Sequence, residues 1–285
     1  KLPCKFIWGP LGGGEGVPKE LWSHLTEKQR MIERVRHFNM IFPLTNPWKN
    51  VAIRKACLLI VRTNDTLACI PPRYRNKCQL MIETGISQSD IESFKAVGTN
   101  LNSELRNDFM ICGKMVPYKL FDLAIDAFGN ADEINGNAKL HIIGDGPLMN
   151  SLKREAQKYE ASTNIVFHGK LSRKETLEIM ASCKALLLTS AREGGSWVMF
   201  EAMLLKKPII CFDTSGMTVV VNREMGYMIP VCAYEEAIVH FKQALIDCYY
   251  QDTTEMGNQA YWRVTEQFTW KAKIEQMLKQ LDENN

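Results

Sequence analysis

The chain has 285 residues, too many for one small core and enough for two domains, and its composition, 46% hydrophobic, 24% charged and 9% aromatic, excludes a disordered, fibrous or disulfide-stapled protein. The net charge of +3 is uneven: residues 1–100 hold 15 Lys and Arg against 8 Asp and Glu, and the remainder holds 20 against 24. That basic first third suits a plainly solvated face, or attraction to anionic lipid headgroups or a phosphorylated acceptor, and the residues leave both open.

From the beginning of the chain, Phe6-Ile7-Trp8 reads as a strand, residues 18 to about 35 as helical, and residues 57–61 and 80–82 as two further strands. After the first strand, Trp8-Gly9-Pro10-Leu11-Gly12-Gly13-Gly14-Glu15 places three consecutive glycines where a ligand or another domain can approach the backbone closely. A flexible loop is the plain alternative. Three strands are too few for a doubly wound domain, so residues 1–105 are expected to be a partial N-terminal domain whose first part lies ahead of Lys1. The polar stretch 87–107 has weak periodicity and is expected to link two domains.

From residue 107 the pattern becomes regular. Strands are expected at 109–113, 140–144, 165–167, 185–188 and 208–212, alternating with helices at 121–128, 148–159, 174–181 and 197–204. This alternation specifies a parallel, doubly wound sheet in a second domain, residues 106–285, with ligands at the carboxyl ends of its strands. The tail 270–281 reads as a charged amphipathic helix with Ile274, Met277 and Leu281 at helical spacing. Nine cysteines without a C-x-x-C pair, most of them in apolar runs, read as reduced core residues, which implies a cytoplasmic setting and neither a zinc site nor a disulfide framework. No apolar stretch is long enough to span a membrane, and no signal peptide is seen.

The segment richest in chemistry is Ser190-Ala191-Arg192-Glu193-Gly194-Gly195-Ser196-Trp197-Val198-Met199-Phe200-Glu201-Ala202-Met203. A strand ends in a turn, two glycines allow close approach, and a helix begins whose free N–H groups can hold a phosphate. Glu193 and Glu201 are separated by roughly 10 Å along a helix axis, so they can meet hydroxyls at the two ends of an elongated ligand with a diphosphate between them. Lys114 and Lys119 flank a proline turn after a strand, where a cation reaches the sheet's carboxyl edge; two solvated lysines are the plain alternative. Gly144-Asp145-Gly146 lacks the third glycine of a dinucleotide fingerprint, because Met149 stands there. His168 reads as a satisfied strand-end histidine. No D-x-D pair and no phosphate loop occur, and no metal is implied.

These motifs resemble the family 4 retaining glycosyltransferases, and the resemblance runs along essentially the whole chain. It rests on Gly113-Lys114-Met115-Val116-Pro117-Tyr118-Lys119, Ile142-Ile143-Gly144-Asp145-Gly146-Pro147-Leu148, Val166-Phe167-His168-Gly169 with Leu171, the Glu193 to Glu201 segment, and Phe268-Thr269-Trp270. It implies two facing Rossmann-like domains of the GT-B type, the first incomplete and acceptor-side, the second binding a nucleotide sugar. By resemblance, Glu193 contacts the donor sugar and Glu201 the ribose, while Lys114 and Lys119 neutralise the departing diphosphate. Gly144, Gly169, Lys170, Gly194, Gly195, Ser196 and Trp197 line the donor site, with backbone around Gly169-Lys170-Leu171 serving the base.

Two residues depart from the family pattern. Lys114 stands where Arg is usual, losing the planar fork, and Leu120 follows Lys119 where Gly is usual. The histidine common near the first strand end is absent, which leaves Gly12, Gly13, Gly14 and Glu15 as acceptor-side candidates. The resemblance implies transfer of a hexose, with retention, to a glycan or lipid-linked acceptor in cell-surface polysaccharide synthesis, with no cofactor, no metal and no nucleic acid, by a cytoplasmic protein at the inner face of a membrane. The alternatives are a donor-binding fragment without activity, or an epimerase or phosphorylase of the same architecture.

Overall fold

The computed structural model describes residues 4–45, 47–100 and 106–283. The chain begins with β1 (Ile7–Leu11), a 3-10 turn at Lys19–His24, and helices α1 (Glu27–Thr45) and α2 (Pro47–Lys55). Then come β2 (Leu58–Val61), α3 (Asn64–Ala68), β3 (Cys78–Leu80) and α4 (Gln88–Asn100). The three strands form a parallel sheet in the order β1-β2-β3. All four residues of β2, the central strand, are buried, and Ile53, Ala56, Leu59, Val61 and Ile70 make a small separate core.

The second part runs β4 (Phe109–Cys112), α5 (Phe121–Gly129), β5 (Leu140–Ile143), α6 (Met149–Ala156), β6 (Ile165–Gly169), α7 (Arg173–Ser182), β7 (Ala185–Leu188) and α8 (Trp197–Leu204). It continues with β8 (Ile209–Phe212), α9 (Met217–Val220), β9 (Gly226–Ile229), α10 (Tyr234–Tyr250), α11 (Thr254–Gln267) and α12 (Trp270–Glu283). Six parallel strands stand in the order β6-β5-β4-β7-β8-β9, the doubly wound arrangement. Strands β5, β7 and β8 are buried along their whole length, as expected of strands covered by helices on both faces. Phe212 on β8 meets Phe241 on α10 edge to face at 5.0 Å, a contact worth about 1 kcal/mol beyond the area it buries. Asp126 of α5, buried, accepts hydrogen bonds from Tyr159 at 2.9 Å and Tyr234 at 2.8 Å, which fastens α10 to α5.

The main core does not stop at the second sheet. Val17, Leu21, Leu25, Ile82, Ile86, Ile91 and Phe94 join it from the first part of the chain. His24 stacks on Tyr234 at 3.6 Å and bonds Asp122 at 2.7 Å, so the Lys19–His24 turn docks against α5 and α10. Ile86 bridges Thr269 in parallel, with Ile86 N–H donating to Phe268 at 2.9 Å and Trp270 N–H to Ile86 at 3.0 Å.

Two expectations need correction. The stretch 87–107 contains helix α4, whose Ile91 and Phe94 are buried, so a polar segment became a helix because tertiary packing overrode weak periodicity. The expected boundary at residue 105 lies outside the described residues. All nine cysteines are free, but only Cys183, Cys211 and Cys248 are buried, and Cys4 is exposed. Cys57, Cys69 and Cys78 belong to the small first sheet and its surroundings, which have too little cover to enclose them.

Candidate functional site

The order of the large sheet reverses between β4 and β7. These two strands pair at only Phe109–Ala185 and Met110–Leu186, whereas β4 and β5 pair over four residues, so a crevice opens beyond the carboxyl ends of β4 and β7. The loop after β4 carries Lys119 and the loop after β7 carries Glu193. They meet: the Lys119 ammonium donates to a Glu193 carboxylate oxygen, with the side chains only 14% and 12% exposed, and the Ser190 hydroxyl donates to the same oxygen at 3.3 Å. Lys114 lies exposed on the first of these loops, so the two lysines occupy different environments. Leu120, in the place of the usual glycine, adopts the left-handed conformation with φ 45° and ψ 50°. Its side chain is buried, and its carbonyl accepts the Thr189 hydroxyl at 2.8 Å, contacts that hold a backbone geometry unfavourable for leucine by about 1–3 kcal/mol.

Glycines also end β4, β5 and β6 at the floor of the crevice. Gly144 has φ +127°, and a Cβ there would lie 1.9 Å from the Gly113 carbonyl oxygen. Its N–H donates to Gly169 at 2.8 Å. Gly169 has φ +69° with open space above it, and Lys170 beside it is exposed. His168 bonds His141 at 2.9 Å, and His141 reaches Asp108 at 3.3 Å. His168 is therefore engaged by a protein partner, and burial beside a second imidazole lowers its pKa.

The turn Glu193-Gly194-Gly195-Ser196 leads directly into α8, with Ser196 at the N-cap and Trp197 exposed at the first helical position. The space above both glycines is already occupied. A Cβ on Gly194 would meet Glu83 Oε1 at 2.5 Å and Arg62 Nη1 at 3.1 Å; one on Gly195 would meet Ile82 and Thr84, each at 2.7 Å. The Gly195 N–H donates to Glu83 at 3.1 Å. One turn into α8, Glu201 accepts from Arg173 Nε at 2.9 Å. Burial raises the Glu201 pKa, and Arg173 opposes the rise. Glu201 opens on a cleft of about 570 Å³ lined also by Gly85, Ser87, Asp90, Arg173, Trp197 and Trp270.

On the other side, the glycine loop closes on its own sheet. Glu15 is buried and accepts from Arg62 Nε and Nη2, both at 2.9 Å, from Thr63 at 2.8 Å, Thr66 at 3.1 Å and the Gly13 N–H at 2.9 Å. Burial alone would raise its pKa, but the hydrogen bonds from Arg62 and Thr63 prevail and hold it near 2. A Cβ on Gly12 would strike Arg62 and one on Gly14 would strike the Thr66 backbone, whereas Gly13, at φ +104°, faces open space. Glu15 thus anchors the loop, and its low pKa is unsuited to a general base. Arg62, Glu83, Arg173, Glu33 and Arg36 were not singled out from the sequence, and Arg192 appeared only as part of the turn ahead of Glu193. Arg62 alone carried a visible signal, a charge placed directly after a buried strand at its carboxyl end.

Among the described residues, one group could hold a metal: Cys232, Glu236 and His240, whose ligand atoms lie within 4.8 Å of one another. They follow one another at four-residue intervals, Cys232 just ahead of α10 and Glu236 and His240 in its first turns, outside the donor-side cluster.

Parallel sheets with a switch-point crevice facing a second, smaller sheet define the GT-B architecture of glycosyltransferases. The chain belongs to the family glycosyl transferases group 1, whose profile matches residues 96–262. It is 28% identical over 156 residues, 54% of this chain, to an uncharacterized glycosyltransferase of Methanocaldococcus jannaschii. It is 26% identical over 170 residues, 59% of this chain, to the GDP-mannose-dependent alpha-(1-6)-phosphatidylinositol dimannoside mannosyltransferase of Mycobacterium tuberculosis. Each match covers 42% of the relative's length. The crystal structure of Anabaena Alr3699/HepE in complex with UDP and glucose superposes with a TM-score of 0.60 at 17% identity, over 92% of this chain and 68% of that one. Among the described residues, no helix is long and apolar enough to cross a membrane.

Proposed function

We propose that this chain binds a nucleoside diphosphate sugar in the β4–β7 crevice and transfers its hexose, with retention, to a glycan or lipid-linked acceptor. The observation that carries this reading is the meeting of Lys119 with Glu193 at the switch point, one turn from the start of α8 and eight residues from Glu201. The Mycobacterium relative is named as GDP-mannose-dependent and for phosphatidylinositol dimannoside, and the Anabaena protein was crystallised with UDP and glucose, which supports a donor of this chemical class.

Three donor-side groups are each held by another side chain: Lys119 by Glu193, Glu201 by Arg173, and the Gly195 N–H by Glu83. Binding exchanges these partners. Glu201 takes the ribose hydroxyls and Glu193 the hexose hydroxyls, while Lys119 turns to the diphosphate. Lys119 and the amides at the start of α8 stabilise the charge that grows as the bond from the anomeric carbon to the diphosphate breaks. The acceptor oxygen attacks the same face, and its proton passes to the leaving phosphate oxygen. Lys114, exposed on the Lys119 loop, adds positive potential at the crevice mouth, and Lys170 lies beside the base. Lysines and amides suffice for this arrangement, so donor binding is expected to persist in EDTA; abolition by EDTA with rescue by Mn²⁺ would contradict it.

The deciding experiment mixes the protein with radiolabelled nucleotide sugars and an acceptor extract. Label moving to an acceptor with its anomeric configuration kept supports the reading. Hydrolysis alone, or binding without turnover, refutes transfer by this chain.

A further inference from the structure

Near Glu193, but on the side facing the glycine loop, three charged residues form a cluster with no part in the donor assignment. Glu33 of α1 is nearly buried, its side chain 7% exposed. One of its oxygens accepts the Val17 N–H at 3.1 Å. The other is shared by two arginines as ion pairs: Arg192 Nη2 at 3.4 Å and Arg36 Nε at 3.7 Å. Among the described residues, neither Arg36 Nε nor Arg192 Nε has a hydrogen-bond partner, although both atoms are buried. Arg192 is 12% exposed and lies at 4.5 Å over the ring of Tyr118, the residue before Lys119, while Arg36 is 40% exposed. The nearby carboxylate of Glu15 is already engaged by Arg62, Thr63, Thr66 and the Gly13 N–H.

Two guanidinium groups on one carboxylate oxygen leave a net positive charge and two buried Nε donors unmatched in a partly dry place. Burial works against the Arg192 charge and Arg36 adds to that effect, with Glu33 opposing both. A planar fork with unmatched N–H groups is suited to an oxyanion. We propose that Arg36 and Arg192, held on Glu33, are a phosphate site on the acceptor side of the cleft, so that the acceptor is a compound carrying a phosphate or phosphodiester close to the hydroxyl that receives the sugar. Placement follows from the chain: Arg192 immediately precedes Glu193, so an anion held there brings its neighbouring hydroxyl toward the donor sugar. The identity of the acceptor rests on the donor-site reading; the anion site itself does not.

Calorimetric titration with inorganic phosphate, with glycerol 3-phosphate and with vesicles containing or lacking an anionic phospholipid tests the site. Arg36→Gln and Arg192→Gln should each weaken phosphate binding about tenfold or more, the scale of one lost charge-assisted pair. Glu33→Gln removes the competing carboxylate and should strengthen binding several-fold, an opposite sign that damage to the fold would not produce. Unchanged affinity in the two arginine variants, or weakening in Glu33→Gln, overturns the proposal. Binding of glycerol 3-phosphate but not of vesicles identifies a soluble phosphorylated acceptor; vesicle binding lost in the same arginine variants identifies a lipid headgroup. Nucleoside diphosphate binding in Glu201→Ala separates the two readings. Phosphate binding that depends on the arginines while Glu201→Ala leaves the nucleotide unaffected keeps the anion site and removes the donor reading; the converse pattern keeps the donor reading and removes the anion site.

Discussion

Lys119 and Leu120 show how two adjacent residues can be held for different reasons. The Lys119 ammonium is worth most where negative charge is growing, so its loss should fall on kcat more than on donor KM. Lys119→Met keeps most of the side-chain volume, and in transfer assays kcat is expected to drop roughly a hundredfold or more. Unchanged kcat would leave Lys119 as a structural partner of Glu193. The two glutamates divide similarly: Glu201→Ala should weaken binding of the free nucleoside diphosphate by about 1–3 kcal/mol, while Glu193→Gln should spare it and weaken the intact donor, both measurable by calorimetry. Leu120→Gly tests the neighbouring residue. Relief of the left-handed backbone is worth about 1–3 kcal/mol, but losing a buried leucine costs more than the ~2–5 kcal/mol of a Leu→Ala change, so denaturant unfolding should show a net destabilisation.

At the scale of elements, the glycine loop after β1 is tied to β2 and α3 through Glu15, and that tie depends on pH. The Glu15 pKa is depressed to about 2 from the ordinary 4.5, so the folded state favours its charged form. Its stabilising contribution is complete above pH 4.5 and is lost as pH falls from there toward 2, an effect of about 2 kcal/mol after allowance for solvent screening. Glu15→Gln should flatten that part of the acid-unfolding curve; an unaltered curve would show the tie to be weak. The same loop shows how far sequence carries. Its glycines were visible as sites of close approach, and the structure shows the approaching groups to be Arg62, just after β2, and Thr66 of α3. The strand-helix alternation from 109 to 212 was legible because fully buried parallel strands are short apolar runs. Strand β9 was not, since Gly-Tyr-Met-Ile has neither alternation nor β-branching until its last residue, and α4 was not, since its helical state depends on Ile91 and Phe94 finding a core supplied by distant sequence. Glu193, Glu201 and Lys119 could be located from one motif each. The partners Arg173, Glu83 and Arg62 arrive from other parts of the chain, and pairings at such separations leave no local pattern.

Across the molecule, the two sheets meet through small residues in the Glu193 turn. A Cβ on Gly195 would lie 2.7 Å from both Ile82 and Thr84, and Thr84 donates its hydroxyl to the Gly195 carbonyl. Gly195→Ala should therefore separate the 82–84 segment from the turn, seen as faster amide hydrogen exchange there with the β7–β8 core unchanged; equal protection in both proteins would mean the segment yields without loss. The parallel bridge between Ile86 and Thr269 has a further, mechanical consequence. The chain leaves the first sheet at Ile86 and returns toward it at Thr269, and these two passages are stitched side by side. Lys273 of α12, buried, then fastens the return by donating to the carbonyls of Ile82 and Thr84. Two covalent crossings joined at this bridge and fastened by Lys273 act as a double pin, holding the two parts of the chain together at one place. A single cut between α4 and β4 would leave the two parts held by the second pin, so the nicked protein should still migrate as one body in gel filtration.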